Sequence, residues 1–320
     1  MQQYIVRRTL LNIVVIFMVI SLVFLALRAA PGEFALRQAG AQITDVSSME
    51  EAIEIVRHDL GLDKPILEQY GRFATGVLRG DLGDSFVSKK PVMLELKDRL
   101  GPSIELGILQ IIVAIVVAVP IGIVSAIRQD TWLDYILRFF AIFWLAVPSF
   151  FVGVLLLYSF ARWGHWSPPI TNYKGFFEDP FLNMQAMVLP AVAGGLATGA
   201  IIMRFLRSQM LEVLRQDYVR TAWSKGLRER AVVLRHALTN ALIPVLTVIG
   251  LLLATVASGN VVLETLFQLP GIGFYAVNAV QQHDYPVVQG VVLVTAAGLV
   301  FVNLLVDITY AWLDPRIRYG

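Results

Sequence analysis

The chain of 320 residues contains no cysteine, so disulfide bonds and thiolate metal sites are both excluded. Charged residues are also scarce, because they make up 16% of the sequence, whereas soluble domains contain about a quarter. Hydrophobic residues reach 57%, and the formal net charge is only +2. So small a net charge does not indicate a nucleic-acid-binding protein. The composition instead indicates a protein that lies in a membrane.

The motifs of common catalytic sites are missing as well. No Gly-Lys pair occurs in the sequence, which excludes the phosphate-binding loop G-x-x-x-x-G-K-[ST], and no G-x-S-x-G nucleophile turn is present. No two of the four histidines have the i, i+4 spacing of a helical zinc site. His283 beside Asp284 comes nearest to a metal-binding pair, but a solvated loop is the favoured interpretation. We therefore expect neither an active site nor a cofactor on this chain.

Long apolar runs are what the chain has in abundance. A helix needs about 20 mostly apolar residues to cross the ~30 Å hydrocarbon layer, and six stretches qualify. They are residues 10–27, 106–127, 139–161, 186–203, 241–263 and 287–306. Each is expected to be a helix, because an open strand edge cannot be satisfied in lipid. The predicted fold class is an all-α polytopic membrane protein with six transmembrane helices.

The first run has a possible alternative as a cleaved signal peptide, since Arg7 and Arg8 precede it and Ala29 and Ala30 follow it. Its uncharged stretch is longer than the apolar region of about 7–15 residues in a signal peptide, and five further spans follow. A retained first helix in residues 1–30 is therefore favoured. Lys and Arg in the short loops are concentrated on one side, and the positive-inside rule then places both termini in the cytoplasm.

Residues 31–102, between the first two spans, are predicted to form a small helical extracytoplasmic domain. Ser48 and Glu51 form a capping box that would begin one helix, and a second is expected to start near Pro65. Residues 91–100 are read as a third short helix. The second helix is expected to present one apolar face, made by Ile66, Tyr70, Phe73 and Val77. Two interpretations stay open for this domain: an amphipathic plug on the membrane surface, or a docking surface for an external protein.

The spans contain a few residues that are unusual in a membrane helix. Pro120, Pro148 and Pro190 each remove a backbone donor and are expected to kink their helices. Glu105 and Asp307 lie near helix ends, where the favoured interpretation is that they reach water, the alternative being a functional intramembrane charge. Between the last two spans, a Pro-Gly turn set in apolar sequence predicts a hairpin without a helix of spanning length.

A basic loop, residues 204–238, lies between the fourth and fifth spans within a five-helix core at 103–320. It is longer than a link between two membrane helices needs to be, and its spacing fits two short helices broken at Gly226. An anchor that obeys the positive-inside rule would explain its charge but not its length. We expect a folded loop of this kind to pass force to a soluble partner. Its basic residues are Arg204, Arg207, Arg215, Arg220, Lys225, Arg228, Arg230 and Arg235.

Short motifs over the whole chain resemble those of permease subunits in the dipeptide and oligopeptide ABC importer family, of the first-permease type in the heterodimeric pair. In the basic loop, Arg220, Thr221 and Ala222 with Gly226 match that family's coupling motif E-A-A-x3-G, with the substitutions typical of the peptide branch. The chain departs from the family pattern at two places. Thr239 stands where the family usually has a proline, thirteen residues after Gly226, and Glu33-Phe34 stands where the family often has Asp-Pro. The wider match includes Tyr218-Val219, Lys225-Gly226-Leu227, Arg235-His236-Ala237-Leu238, Gly80-Asp81-Leu82-Gly83, Glu264-Thr265-Leu266-Phe267, Pro270-Gly271-Ile272-Gly273 and Asp284-Tyr285-Pro286.

The resemblance implies a non-catalytic subunit of an ATP-driven importer in a bacterial or archaeal plasma membrane. Its implied partners are a homologous second permease, two cytoplasmic ATPase subunits that bind ATP and Mg²⁺, an external solute-binding protein, a peptide substrate and membrane lipid, with no nucleic acid. Alternatives are the same architecture for a nickel chelate or an oligosaccharide, or an ATP-independent secondary carrier. The residues it implies for ATPase coupling are Tyr218, Arg220, Thr221, Ala222, Lys225, Gly226 and Leu227.

Overall fold

The computed structural model describes residues 2–28, 64–169, 173–256 and 259–313. Within these ranges the chain is helical, with one isolated bridge between Asp84 and Pro91 and no strand. The predicted all-α fold class is therefore confirmed. The capping box at Ser48 and Glu51, with the helix that it would begin, lies outside the described residues.

The described helices follow the chain in three groups. The first group is α1 (Gln2–Arg28), α2 (Ile66–Leu78), α3 (Val92–Ile127), α4 (Trp132–Ala146), α5 (Ser149–Trp163) and α6 (Pro180–Leu214). Next come α7 (Asp217–Ser224), α8 (Glu229–Ala231), a π-helical segment (Val232–Ala237) and α9 (Leu238–Val256). The last are α10 (Val261–Leu266), α11 (Ile272–Gln281) and α12 (Tyr285–Leu313). Among the described residues, five helices are long and apolar enough to cross a membrane, or six if the bent pair α4 and α5 counts as one span.

The predicted third span, residues 139–161, is broken rather than continuous. Helices α4 and α5 meet at an angle of 101°, and Pro148 stands directly before α5. Val147 is extended (φ −81°, ψ 125°), as expected for a residue that precedes proline. Four prolines behave differently: Pro102, Pro120, Pro190 and Pro244 lie inside uninterrupted helices.

Several predicted helix ends were wrong, most often because a helix was predicted too short at its polar end. The fifth span was instead predicted too long at its far end: α9 ends at Val256, and Asn260 caps a separate short helix before the predicted end at Leu263. Residues 91–100 do not form a separate helix, because α3 starts at Val92 and runs on without a break. Helix α6 continues to Leu214, so Arg204 and Arg207 lie in a helix and not in a loop. The fifth spanning segment begins at Glu229. Hydropathy detects only the part of a helix that lies in lipid, which is why charged ends escape it.

The described residues form two compact units, one made by residues 2–28, 64–100 and 275–304, the other by residues 101–274 and 305–313. In the first, α2 packs against α1 through its predicted apolar face. The ring of Phe24 lies 5.3 Å from that of Tyr70 and 5.7 Å from that of Phe73, and the Tyr70 hydroxyl lies 2.8 Å from Oγ of Ser21. Ile66, at the start of the same face, remains exposed.

Helix α6 is the central helix of the second unit. In its apolar stretch 67% of the residues are buried, against 11–28% in the other four spanning helices. Glycines permit this close packing: a Cβ at Gly195 would lie 2.8 Å from the backbone oxygen of Gln110 and from the side chain of Val113 on α3. The last turn of α6 ends at Leu214, and α7 begins only three residues later at Asp217, so α6 positions α7.

Candidate functional site

The knob, residues 215–237, is a compact folded structure that follows the end of α6. Helix α7 ends in a Schellman turn in which the N–H of Gly226 donates to the carbonyl of Trp223 (2.9 Å) and the N–H of Leu227 donates to that of Ala222 (3.4 Å). Gly226 has φ +74°, a left-handed conformation that suits glycine, and a Cβ there would meet no atom within 4 Å. The predicted break at Gly226 is therefore present, and its cause is backbone conformation rather than crowding.

The knob has a small hydrophobic core of its own. Val219 and Ala222, one turn apart on α7, are buried together with Val232, and Val213 and Leu214 at the end of α6 pack against them. Burial of these side chains packs α7 against the last turn of α6. Ala222 therefore lies inside the knob, where a larger side chain would disturb packing.

The other predicted coupling residues lie on the surface of the knob. Tyr218 is 46% exposed and Leu227 is 39% exposed. Trp223, which is not among the predicted coupling residues, is also 46% exposed. An aromatic residue within an exposed basic segment is the signal that would have found it. Exposed aromatic and basic side chains together are typical of a protein-binding surface. The remaining predicted residues that are exposed are Arg220, Thr221, Lys225 and Gly226.

The second short helix predicted in the basic loop is not a separate element. After Gly226 the helix starts at Glu229, passes through the π-helical segment and continues into α9. Short π-helical insertions are rare and are often found at functional sites. His236 lies in this segment, and its carbonyl accepts a hydrogen bond from the side chain of Asn240 (2.8 Å). The knob is thus joined to α6 by the turn at Gln216 and to α9 by continuous helix.

A buried ion pair that no sequence pattern indicated lies near the same end of α6. Arg207 donates from Nε to Oδ1 of Asp134 (2.9 Å) and from Nη2 to Oδ2 (2.6 Å). Ser125, on α3, donates to Oδ1 of the same carboxylate (2.5 Å), and the N–H of Asp130 donates to Oδ2 (3.1 Å). Asp134 is completely buried. This site brings together α3, α4 and α6.

Residues 259–274 contain a second buried carboxylate, that of Glu264. It accepts hydrogen bonds from the N–H groups of Gly273 (2.7 Å) and Phe274 (3.1 Å), in the first turn of α11, and from the hydroxyl of Ser103 (2.8 Å). Helices α10 and α11 are six and ten residues long, in agreement with the predicted hairpin that lacks a spanning helix. Asn260, at the start of α10, caps this helix by accepting from the N–H of Leu263 (3.2 Å).

Two other acidic candidates, Glu105 and Asp284, accept hydrogen bonds from neighbouring side chains. The Tyr173 hydroxyl donates to Oε2 of Glu105 (3.1 Å). Burial, together with this neighbouring carboxylate, raises the pKa of the Tyr173 hydroxyl above its ordinary value. Asp284 is buried and accepts from Ser85 Oγ (2.5 Å), so the solvated loop expected for His283 and Asp284 is wrong at Asp284. The described residues contain no group of three or more His, Asp or Glu side chains that could hold a metal ion.

Comparison with known proteins agrees with these features. Residues 118–319 match the family model for the binding-protein-dependent transport system inner membrane component, and residues 1–107 match the model for its N-terminal region. The chain is 40% identical over 319 residues to the glutathione transport system permease protein of Pectobacterium atrosepticum, covering 100% of both chains. It is 38% identical over 338 residues to the dipeptide transport system permease protein of Alkalihalophilus pseudofirmus, again covering 100% of both. A probable peptide ABC transporter permease of Sinorhizobium fredii is 39% identical over 316 residues, 99% of each chain.

The fold and these matches define a multi-pass permease of the inner membrane. The chain belongs to the family of binding-protein-dependent transport system inner membrane components. This confirms the resemblance to permease subunits of the dipeptide and oligopeptide ABC importer family. Members of the family are non-catalytic, and ATP hydrolysis takes place on separate subunits.

Proposed function

We propose that this chain is one of two homologous permease subunits in an ATP-driven importer of dipeptides or oligopeptides. The names of three relatives, which refer to glutathione, dipeptide and peptide transport, support a peptide as the cargo. An external solute-binding protein delivers the peptide, and two cytoplasmic ATPase subunits, which bind ATP and Mg²⁺, drive transport. Both termini and the knob lie on the cytoplasmic side, in line with the concentration of basic residues there.

The observation that carries the coupling assignment is the construction of the knob. Its own core fixes α7 to the end of α6, while Tyr218, Trp223 and Leu227 are exposed to solvent. A rigid element that presents apolar and basic side chains is suited to a groove on a soluble partner with acidic residues at its rim. The residues that contact the ATPase are Tyr218, Arg220, Thr221, Lys225, Gly226 and Leu227, while Ala222 supports them from inside.

The division of the chain into a first helix (1–30), an extracytoplasmic domain (31–102) and a permease core (103–320) remains a prediction. Within the extracytoplasmic domain, Leu67 and Leu78 are strongly exposed at the two ends of α2. Their exposure is compatible with either an amphipathic plug at the membrane surface or a docking surface for the binding protein.

The cargo is tested by reconstituting the complete importer in vesicles and measuring ATP-dependent uptake of a labelled dipeptide. Competition by unlabelled dipeptides, tripeptides and glutathione is expected, while a nickel chelate and an oligosaccharide should not compete. Uptake of the chelate or the sugar with no uptake of peptide would contradict the proposed cargo. Uptake by this chain without ATPase subunits would contradict the proposed class.

The coupling surface is tested by removing its aromatic side chains. Tyr218→Ala combined with Trp223→Ala should reduce the amount of ATPase that copurifies with the permease, because large exposed aromatic residues dominate the affinity of most interfaces. Phe177→Ala is a matched control, since this ring is 98% exposed in the segment between α5 and α6. Unchanged copurification in the double variant would show that the ATPase binds elsewhere.

A further inference from the structure

The ion pair between Arg207 and Asp134 occupies an unusual place in the molecule. The carboxylate of Asp134 is completely buried and is shared by donors from three parts of the chain: α3, the turn after it, and α6. Arg207 binds it through two parallel hydrogen bonds and also donates from Nε to Oγ of Ser125 (3.1 Å). Arg138, one turn along α4, adds a second positive charge 3.8 Å from Oδ2 of Asp134.

A buried ion pair is weak evidence for stability, because well-packed apolar residues of similar volume often serve equally well. Its distinctive property is geometric. Two parallel hydrogen bonds to a planar carboxylate fix both distance and orientation, which apolar packing does not. The pair therefore fixes the register of α4 against α6, with Ser125 adding α3 to the same joint.

The joint lies close to the knob. Arg207 is seven residues before Leu214, so about 10 Å of straight helix separates the ion pair from the end of α6. Val213 and Leu214 pack directly against the core of the knob. A displacement of the knob would thus be transmitted to the end of α6. From that end, α6 is joined to α4 by the ion pair of Arg207 with Asp134.

We propose that Arg207 and Asp134 form a clamp that makes α3, α4 and α6 move as one body when the knob is displaced. This inference rests on the proposed function, since it takes the ATPase as the source of the displacement. Both are positioning residues, because they contact neither nucleotide nor cargo. Through the clamp, the displacement that the ATPase causes in the knob reaches α4, the first helix of the bent pair α4 and α5.

The first test measures the number of ATP molecules hydrolysed per peptide imported. In the double variant Asp134→Leu with Arg207→Met, apolar side chains replace both charges, so no buried charge is left alone and assembly should be retained. The ratio should rise about 5-fold or more, the lower range of a coupling between distant sites. Arg204→Met is the matched control, because Arg204 lies one turn earlier on α6 and is exposed.

A purely structural pair would give a different result. An apolar pair that assembles, melts like the native complex and keeps the native ratio overturns the clamp. The conservative variant Arg207→Lys retains the charge but loses the two parallel bonds. It should give a ratio between the native value and that of the apolar pair, and a native ratio in this variant also counts against the proposal.

The second test uses the otherwise native chain and does not depend on the folding of the charge variants. The chain contains no cysteine, so Trp132→Cys on α4 and Ser208→Cys on α6, both exposed positions, accept spin labels selectively. The distance between the two labels should stay constant between the nucleotide-free and vanadate-trapped importer, while either label moves relative to one on the second permease. A change in the α4–α6 distance in the otherwise native chain overturns the clamp.

Failure of the clamp and failure of the proposed function are distinguishable. If the knob does not bind the ATPase, the Tyr218 and Trp223 variant retains the ATPase and coupling. If only the clamp is wrong, that variant loses the ATPase, while the apolar pair remains fully coupled.

Discussion

The hydroxyl of Ser103 lies 2.8 Å from Oε1 of Glu264, and both side chains are buried. Ser103 Oγ also accepts a hydrogen bond from the N–H of Ile272 (2.8 Å), the first residue of α11. Two further N–H groups of α11 bind the other oxygen of Glu264, where the positive end of the helix dipole favours a negative charge. Segments 161 residues apart in sequence are thus joined through one carboxylate.

Replacement of Glu264 by Gln should destabilise the protein. The side chain accepts from the hydroxyl and backbone N–H groups around it, so the amide NH₂ of Gln would face other donors. An unsatisfied buried group costs about 1–3 kcal/mol, which thermal unfolding of the purified importer would detect. Glu178→Gln, at an exposed position, should change stability by about 0.5 kcal/mol or less. Equal melting of the two variants would contradict this account of Glu264.

Replacement of Gly271 by Ala tests the same site by crowding. A Cβ at Gly271 would lie 2.6 Å from Oγ of Ser103 and 2.5 Å from Cδ of Glu264, closer than real Cβ contacts. The strain should cost about 1–3 kcal/mol, measured as a lower melting temperature. Gly175→Ala is the control, because a Cβ there would meet no atom within 4 Å. A native melting temperature for Gly271→Ala would show that the hairpin tolerates a side chain at this point.

Gly226 is predicted to matter for its backbone conformation. A β-branched residue at φ +74° is strained by about 1–2 kcal/mol, so Gly226→Val should disrupt the Schellman turn of the knob. We expect membrane insertion to be retained and ATP hydrolysis to be uncoupled from uptake in reconstituted vesicles. Gly226→Asn is the control, because Asn tolerates a left-handed conformation and nothing nearby obstructs its side chain. If Val and Asn uncouple equally, the requirement for glycine has another origin.

Asp284 is predicted to have a structural role without a metal. Its carboxylate accepts from Ser85 Oγ and from the N–H groups of Phe86 (3.1 Å) and Val87 (3.3 Å). Asp284→Asn should lower the melting temperature, because an amide group would oppose these donors. A chelator should leave the native melting temperature unchanged. Exposed Asp98→Asn provides the control. A chelator-sensitive melting temperature would instead indicate a metal at His283 and Asp284.

The spanning helices could be predicted from the sequence, because the preference of a segment for lipid is the sum of its residues' own hydropathies. All the predicted spans except the third overlap a single long apolar helix, and the break at Gly226 was placed correctly because glycine adopts its left-handed conformation most readily. The membrane class and the family also follow from composition and from motifs spread along the whole chain. The polar ends of α3 and α6 were missed, and so was the helical stretch that begins at Glu229 and leads into α9, since these extend beyond the apolar stretches.

Which charges and prolines shape this protein follows from contacts in the folded chain. Arg207 reads as one of several basic residues, and Asp134, 73 positions earlier, carries no signal of its own. Pro148 interrupts its span whereas Pro120 and Pro190 do not, although each removes the same backbone donor. Local chemistry is the same at these positions, and the outcome depends on neighbours that the folded chain brings together. Preference for lipid belongs to each segment separately, but a hydrogen bond or an ion pair requires two segments to meet.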